Sequence, residues 1–302
     1  MRRFTQRTST SRGGAVVTGA GQGLGREIAL GLARDGFTVH VTDVNAERAS
    51  AVVEEITLRQ MHPGGAPCRA FASVLDVRDA AACTAVAIDT VKRTGTLDLW
   101  VNNAGVFFTG AVWENTPEQR QLMLEVNAHG TINGSLAALE IMRREDSGHI
   151  VNIASLAGLV GVPGEGIYAA TKHAVLGFSI SALGDLRSAG IRRVHISCVC
   201  PDGMWTPMLY DKLEDPRAAL SFSGVLLQPS DVAQQVLGIV QKPRPVTALP
   251  GWRGAQVRLL DLLPSLSVRL APVIVRFSKH QQVAIARRLR RTGAIPAPQD
   301  EL

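Results

Sequence analysis

Thr18-Gly19-Ala20-Gly21-Gln22-Gly23-Leu24-Gly25 decides the reading of this chain. It follows a short apolar run at 15–18 and opens a helical pattern at 24–35. Glycines at such a junction let backbone N–H groups approach an anion at the helix N-terminus, where the helix dipole favours negative charge. Any tight strand-to-helix turn would accept the same glycines. Its place after the first apolar run is what points the turn at a dinucleotide pyrophosphate. Leu24 stands where the general Gly-x-Gly-x-x-Gly pattern has its last glycine, so the spacing here is a different one. Asp43 lies 20 residues beyond Gly23, at the end of the second apolar run. A carboxylate there accepts from the ribose 2′-hydroxyl and would repel a 2′-phosphate. Neither Gln22 nor Val44 supplies a cation to offset it, so NAD is expected over NADP.

Outward from the turn, apolar runs at 15–18, 38–42, 68–75, 97–101, 149–154 and 194–199 are continuous rather than alternating. That suits strands buried on both faces, hence a parallel sheet. Between them 24–35, 46–60, 79–93, 117–144 and 167–189 read as helices, the fourth opened by the capping box Thr116-Pro117-Glu118-Gln119. Repeated alternation predicts an α/β fold, a Rossmann-like doubly wound sheet with helices on both faces. Residues 61–67 read as a surface turn.

Composition narrows the classes. With 46% apolar and 19% charged residues over 302 positions, the chain is globular rather than disordered. No apolar stretch is long enough to span a membrane, and the polar start, 1–14, lacks the apolar core of a secretory signal. Cys68, Cys83, Cys198 and Cys200 form no Cys-x-x-Cys pair, which predicts a cytoplasmic protein with no bound metal. The net charge of +6 is misleading: 1–12 carry +4 and 242–302 carry +8, leaving −6 for 13–241. No basic patch belongs to the folded middle, so no nucleic-acid partner is expected. Three parts follow: a flexible basic tail at 1–12, a catalytic domain at 13–250, and an amphipathic basic helical extension at 251–302.

In the second half, Tyr168 and Lys172 stand four apart on one helical face, and Ser155 lies thirteen residues upstream of Tyr168. Each alone is ordinary. Together with the glycine turn they make the chain resemble the short-chain dehydrogenase/reductase family, in its single-domain, non-extended branch, over about 14–250. Thr18, Gly19, Gly23 and Gly25 match the family's Thr-Gly-x-x-x-Gly-x-Gly. Asp76-Val77 match its adenine-contacting pair, and Asn103, Ala104 and Gly105, after Asn102, its Asn-Asn-Ala-Gly. Asn127, Ser155, Tyr168 and Lys172 match the catalytic tetrad. Pro201 and Thr206 match the segment that binds the nicotinamide, with Gln22 and Leu24 joining the cofactor set inside the glycine turn. One departure is plain: Asp202 stands where the family usually has glycine, with Gly203 next.

The resemblance implies an NAD(P)-dependent oxidoreductase acting on a secondary alcohol or its ketone. Hydride transfer needs a partner for the alcohol proton, and a free tyrosine, at about 10, is a poor base near neutrality. Lys172 and an oxidised nicotinamide would both favour its phenolate. On the resemblance, Ser155 polarises the substrate oxygen, Lys172 also holds the nicotinamide ribose, and Asn127 anchors a water leading from Lys172 to solvent. Apolar residues at 106–108, 156–163 and 204–227 imply a bulky hydrophobic substrate. A reductase using NADPH on the same fold is the alternative, and a non-catalytic dinucleotide sensor a third reading. The resemblance further implies a homodimer or homotetramer pairing through 117–144 and 167–189.

Beyond 250, Arg258, Asp261, Ser265, Arg269, Pro272 and Arg276 form a polar stripe at helical spacing, with leucines and valines between them. Pro264 and Pro272 predict two or three short kinked segments, followed by a more basic helix. Either the apolar face packs on the protein itself or a sister subunit, covering the substrate mouth, or it rests on anionic lipid as a peripheral membrane contact.

Overall fold

A computed structural model describes residues 12–59 and 69–292. The turn expected at 61–67, Cys68, and nearly all of the basic tail lie outside those residues.

Seven parallel strands form one sheet in the order β3-β2-β1-β4-β5-β6-β7. They are β1 (Gly14–Thr18), β2 (Thr38–Asp43), β3 (Arg69–Val74), β4 (Leu97–Asn102), β5 (Gly148–Ile153), β6 (Val194–Pro201) and β7 (Val246–Leu249). Strands β1, β4, β5 and β6 are buried almost throughout, which is why their sequences do not alternate. Helices α1 (Gly23–Arg34), α2 (Ala46–Arg59) and α8 (Pro229–Gln241) share one apolar core with β1 and β2. Helices α3 (Ala80–Thr94), α5 (Gly130–Glu145) and α6 (Gly166–Ser188) cover the opposite face, around the fully buried Trp100. The chain winds outward from β1 to β3 and then returns to place β4 beside β1. That reversal opens a crevice at the carboxyl ends of β1 and β4, the place where doubly wound sheets bind ligands.

The helix expected over 117–144 is a continuous helical stretch with a change of pitch inside it. α4 (Pro117–Met123) starts on the expected box, with Thr116 accepting from Gln119 N–H and the Gln119 side chain accepting from Thr116 N–H. A π-helical turn, Leu124–His129, then separates α4 from α5. β7 and α8 complete the sheet and its cover, and the apolar-run reading had omitted both.

The C-terminal expectation needs correcting. After α7 (Pro207–Tyr210) and a 3₁₀ turn at Pro216–Phe222, α9 (Gly251–Asp261) is followed by one long helix, α10 (Pro264–Thr292), rather than several kinked pieces. Pro264 occupies the first turn, where its missing N–H costs nothing. Pro272 lies inside the helix, but it and Val268 are both exposed, so the carbonyl it leaves unpaired stays wet. Nor does the apolar face pack on the protein's own core. Of the apolar residues interleaved with the polar stripe at 257–275, Val257 is the only buried one.

Candidate active site

The glycine turn ends β1 and starts α1 as the sequence requires. Gly19 has φ +59°, and a Cβ there would meet Ala104 Cα at 2.7 Å, so the turn is pressed against the segment following β4. Asn103 holds the two together: its Nδ2 donates to Thr18 O and Gly19 O, and its N–H donates to Thr18 Oγ1. Ala104 N–H donates to the same Thr18 hydroxyl. Thr18, Asn103 and Ala104 thus shape the turn.

A narrow cradle remains above it. Gly23, at φ +55°, would carry a Cβ 3.5 Å from Thr206 Cγ2, which bridges the cradle from the start of α7. Gln22 Oε1 is buried without a hydrogen-bond partner, a polar atom the protein leaves unsatisfied beside the helix N-terminus. Gly25 sits against Gly19 O and Asn103 Nδ2. Leu24 is buried beneath the turn in the apolar core. Asp43 is fixed at the rim, its carboxylate accepting from Gly21 N–H at 2.9 Å and from Asn45 N–H at 3.0 Å. The glycines, the helix N-terminus and the rim carboxylate are the features that dinucleotide binding requires.

Two residues here escaped the sequence reading. A Cβ on Gly21 would lie 2.7 Å from Arg48 Cβ and 2.9 Å from Asp43 Oδ2, so an arginine of α2 stands beside the rim carboxylate. Asp76 is itself occupied: its carboxylate pairs with the Arg78 guanidinium, which holds the carboxyl below its usual range. Val77 is buried, and its carbonyl accepts from Asn133 Nδ2.

On the other side of the sheet end, α6 brings Tyr168 and Lys172 under the short turn that begins at Ser155. The Ser155 hydroxyl caps that turn by accepting from Ala157 N–H at 3.1 Å, and it is close enough to the Tyr168 phenol to favour its ionised form. Lys172 Nζ is buried, donates to Ile153 O at 3.0 Å and lies 5.5 Å from the centre of the Tyr168 ring. Asn127, fully buried, sits on the π-helical turn and pairs twice with Val106: its Oδ1 accepts from Val106 N–H and its Nδ2 donates to Val106 O. A Cβ on Gly105 would stand 3.2 Å from Asn127 Oδ1 and 3.8 Å from Lys172 Nζ, so both groups face the same small space.

The electrostatics correct one expectation. Burial, and secondarily the Glu165 carboxyl, push the Tyr168 phenol above its ordinary range, with the Ser155 hydroxyl opposing them. Lys172 is not among the groups that shift Tyr168 here, and burial pulls its own ammonium down to about 8.

Tyr168 opens into a cavity of about 390 Å³. Phe107, Val160, Met208 and Leu209 line it, from the three stretches named above. Other residues of 204–227, including Leu213 and Phe222, pack behind the wall instead. The cavity's outer wall comes from α9 and α10 through Val257, Leu260, Ala271 and Phe277, so the C-terminal extension does cover the cavity, as one of its two readings had it. Two other features of the cavity were missed. Glu165, three residues before Tyr168, is a buried carboxyl in the wall that accepts from the Ser221 hydroxyl. Asp202, finally, does not turn to solvent: its carboxylate accepts from Arg253 Nε at 2.9 Å, with both side chains at most 15% exposed. Proximity of an acid to a reactive tyrosine in the sequence was the signal for Glu165; the Asp202–Arg253 pair spans 51 residues and had none.

Glu165 carries a pH signature. Burial raises its carboxyl to about 7, Asp202 adds to the rise, and the Ser221 hydrogen bond opposes it. A carboxyl raised on folding holds its proton in the native state while the unfolded chain has released it, so stability falls as pH rises from about 4.5 to 7. Glu165→Gln keeps the acceptor and removes the charge. Its melting temperature should match the native chain near pH 5 and exceed it by pH 8, by about 2–3 kcal/mol of stability at most. An offset that does not change with pH would contradict the assignment.

Residues 14–217 match the family model for short chain dehydrogenases. The chain is 36% identical over 231 residues to cyclopentanol dehydrogenase from Comamonas sp., covering 74% of this chain and 88% of that protein. It is 34% identical over 227 residues to a 3-oxoacyl-[acyl-carrier-protein] reductase from Staphylococcus aureus, with the same 74% and 88% coverage. A solved short chain dehydrogenase/reductase from Burkholderia phymatum, in complex with NAD, superposes with a TM-score of 0.75 at 27% identity, covering 86% of this chain and 96% of that one.

Proposed function

The chain belongs to the short chain dehydrogenase family, and from that premise we propose that it is an NAD-preferring oxidoreductase interconverting a bulky hydrophobic secondary alcohol and its ketone. The observation that carries the reading is that Ser155 and Tyr168 line a largely apolar cavity, with Lys172 buried beside the Tyr168 ring and Thr206 joining the cavity to the glycine turn at Gly23. The nicotinamide ring, when bound, takes or returns the hydride. Tyr168 exchanges the alcohol proton, Ser155 orients the substrate oxygen, and Lys172 would hold the cofactor ribose, the charge of the oxidised ring favouring the phenolate. Asn127 steadies the loop after β4 facing Lys172. Gln22, Gly23 and Thr206 would hold the pyrophosphate and nicotinamide, Gly105 and Pro201 the ribose side, and Asp76 with Val77 the adenine. Leu124, Leu136 and Ile180 are exposed on the helices through which subunits of a homo-oligomer would pair.

Asp43 supports the cofactor preference, while Arg48 beside it favours a second reading, in which NADP is also accepted. A panel of hydrophobic secondary alcohols assayed with both cofactors decides between them. Higher kcat/KM with NAD is expected, and Asp43→Ala should raise kcat/KM with NADP about tenfold or more by leaving Arg48 alone at the rim. Equal kcat/KM for the two cofactors in the native chain would remove the preference.

A further inference from the structure

α10 is amphipathic in the inverse sense for a core helix. Along its middle the side turned to the protein is polar: Ser278 and Gln282 are buried, and Gln282 Nε2 donates to the carbonyls of Lys212, Leu213 and Asp215 at 3.2, 3.1 and 2.8 Å, while Ile285, Ala286 and Leu289 pack against the cluster around Leu213 and Phe222 farther along. The side turned outward carries Leu266, Leu270, Val273 and Phe277, spaced 4, 3 and 4 apart and 46, 40, 67 and 69% exposed. Leu259, Leu262 and Leu263, from α9 and the turn after it, extend the exposed apolar set. α10 also carries seven arginines and lysines with no aspartate or glutamate. At 100° per residue Arg269 and Arg276 flank the outward stripe, and Arg287 and Arg291 continue its line toward the C-terminus.

We infer that this face docks the protein on an anionic lipid surface, lying in the interface with the leucines and Phe277 below the arginines. An exposed apolar face on a helix whose only charges are cations calls for an occupant that offers hydrocarbon beneath a layer of negative charge. A second copy of the chain would instead bring up the same stripe, on a helix that again carries seven arginines and lysines and no acid. No helix among the described residues is long and apolar enough to cross a membrane, so the contact is peripheral. The placement also has a use. Ile274 and Phe277 line the cavity and belong to the exposed face, so the cavity mouth opens where lipid would lie. Docking rests on the surface alone; delivery of an apolar substrate through that mouth rests on the redox reading.

The test is co-sedimentation of the full chain with vesicles of phosphatidylcholine alone or with about a third phosphatidylserine. At least tenfold stronger partition onto the anionic vesicles is expected at low salt, weakening as salt rises. The variant Leu266→Glu/Val273→Glu lies outside the cavity wall and should lose that partition while keeping its melting temperature and NADH binding. Failure of the native chain to co-sediment at low salt overturns the inference. So does equal binding by the variant, or a native dimer that the variant converts to monomer without any vesicle binding. None of these outcomes bears on turnover, so the redox reading stands or falls separately.

Discussion

Tyr168→Phe is expected to lower kcat by about 10²–10⁴-fold while leaving the fold and NADH binding intact. The substitution removes one oxygen. The ring keeps its edge contact with Phe107, at 4.8 Å between centroids, and its place beside the cluster around Leu209 and Phe222. What disappears is the group that exchanges the proton. Within the protein alone that group is a weaker acid than free tyrosine, because burial and Glu165 both oppose the phenolate. Lys172 cannot reverse this by itself, since burial lowers its own affinity for a proton and its ammonium already donates to Ile153 O. On the proposed function, the reactive state of Tyr168 therefore belongs to the ternary complex, where the positive charge of the oxidised cofactor would favour the phenolate. Steady-state kinetics and an NADH fluorescence titration on the same preparation check both halves. A variant retaining more than about a tenth of native kcat would place the proton elsewhere.

The same comparison shows what the sequence could and could not supply. Five strands were readable because each is buried almost throughout and so is written as a continuous apolar run, and β3, a part-exposed edge strand, was readable only from its run of small and apolar residues. β7 escaped because an edge strand of four residues, hemmed by Pro243, Pro245 and Pro250, has no such run. α8 had the signals, proline in its first turn and Val232, Val236 and Leu237 on one face, but followed a segment read as pocket lining. Local spacing carried the glycine turn and the Tyr168–Lys172 pair. Contacts between distant segments did not show: Arg48 against Asp43 depends on how α2 lies over β2, and which residues of the extension wall the cavity depends on where α10 settles. The amphipathic pattern of 251–302 was visible, yet its orientation was not. Periodicity fixes which residues share a face, and tertiary anchoring by Gln282 fixes which face turns inward.

Asp202, the one clear departure from the family pattern, gives the second large expectation. Arg253→Ala should cost about 3–5 kcal/mol of stability, far more than a surface ion pair is worth. Its Nε donates to Asp202 Oδ2, its other nitrogens reach Ser223 Oγ and Gln256 Oε1, and the pair is largely withdrawn from water. The surroundings are built to the carboxylate: Gly203 N–H donates to Asp202 Oδ1, and a Cβ on Gly224 would lie 2.3 Å from Oδ2. Removing the arginine leaves Asp202 facing Glu165 with no cation between two enclosed carboxyls, and Glu165 already responds to that charge. Asp202→Gly restores the residue usual in the family, and the double variant Asp202→Gly/Arg253→Ala removes both charges at once. The double variant should therefore be more stable than Arg253→Ala alone, the mark of a coupled pair in a double-mutant cycle. The pair also ties the strand end beside Thr206 to α9, so Arg253→Ala should raise KM for cofactor as well as lower the melting temperature. Additive losses in the cycle would show that Asp202 and Arg253 act separately, and that the aspartate is tolerated there rather than held.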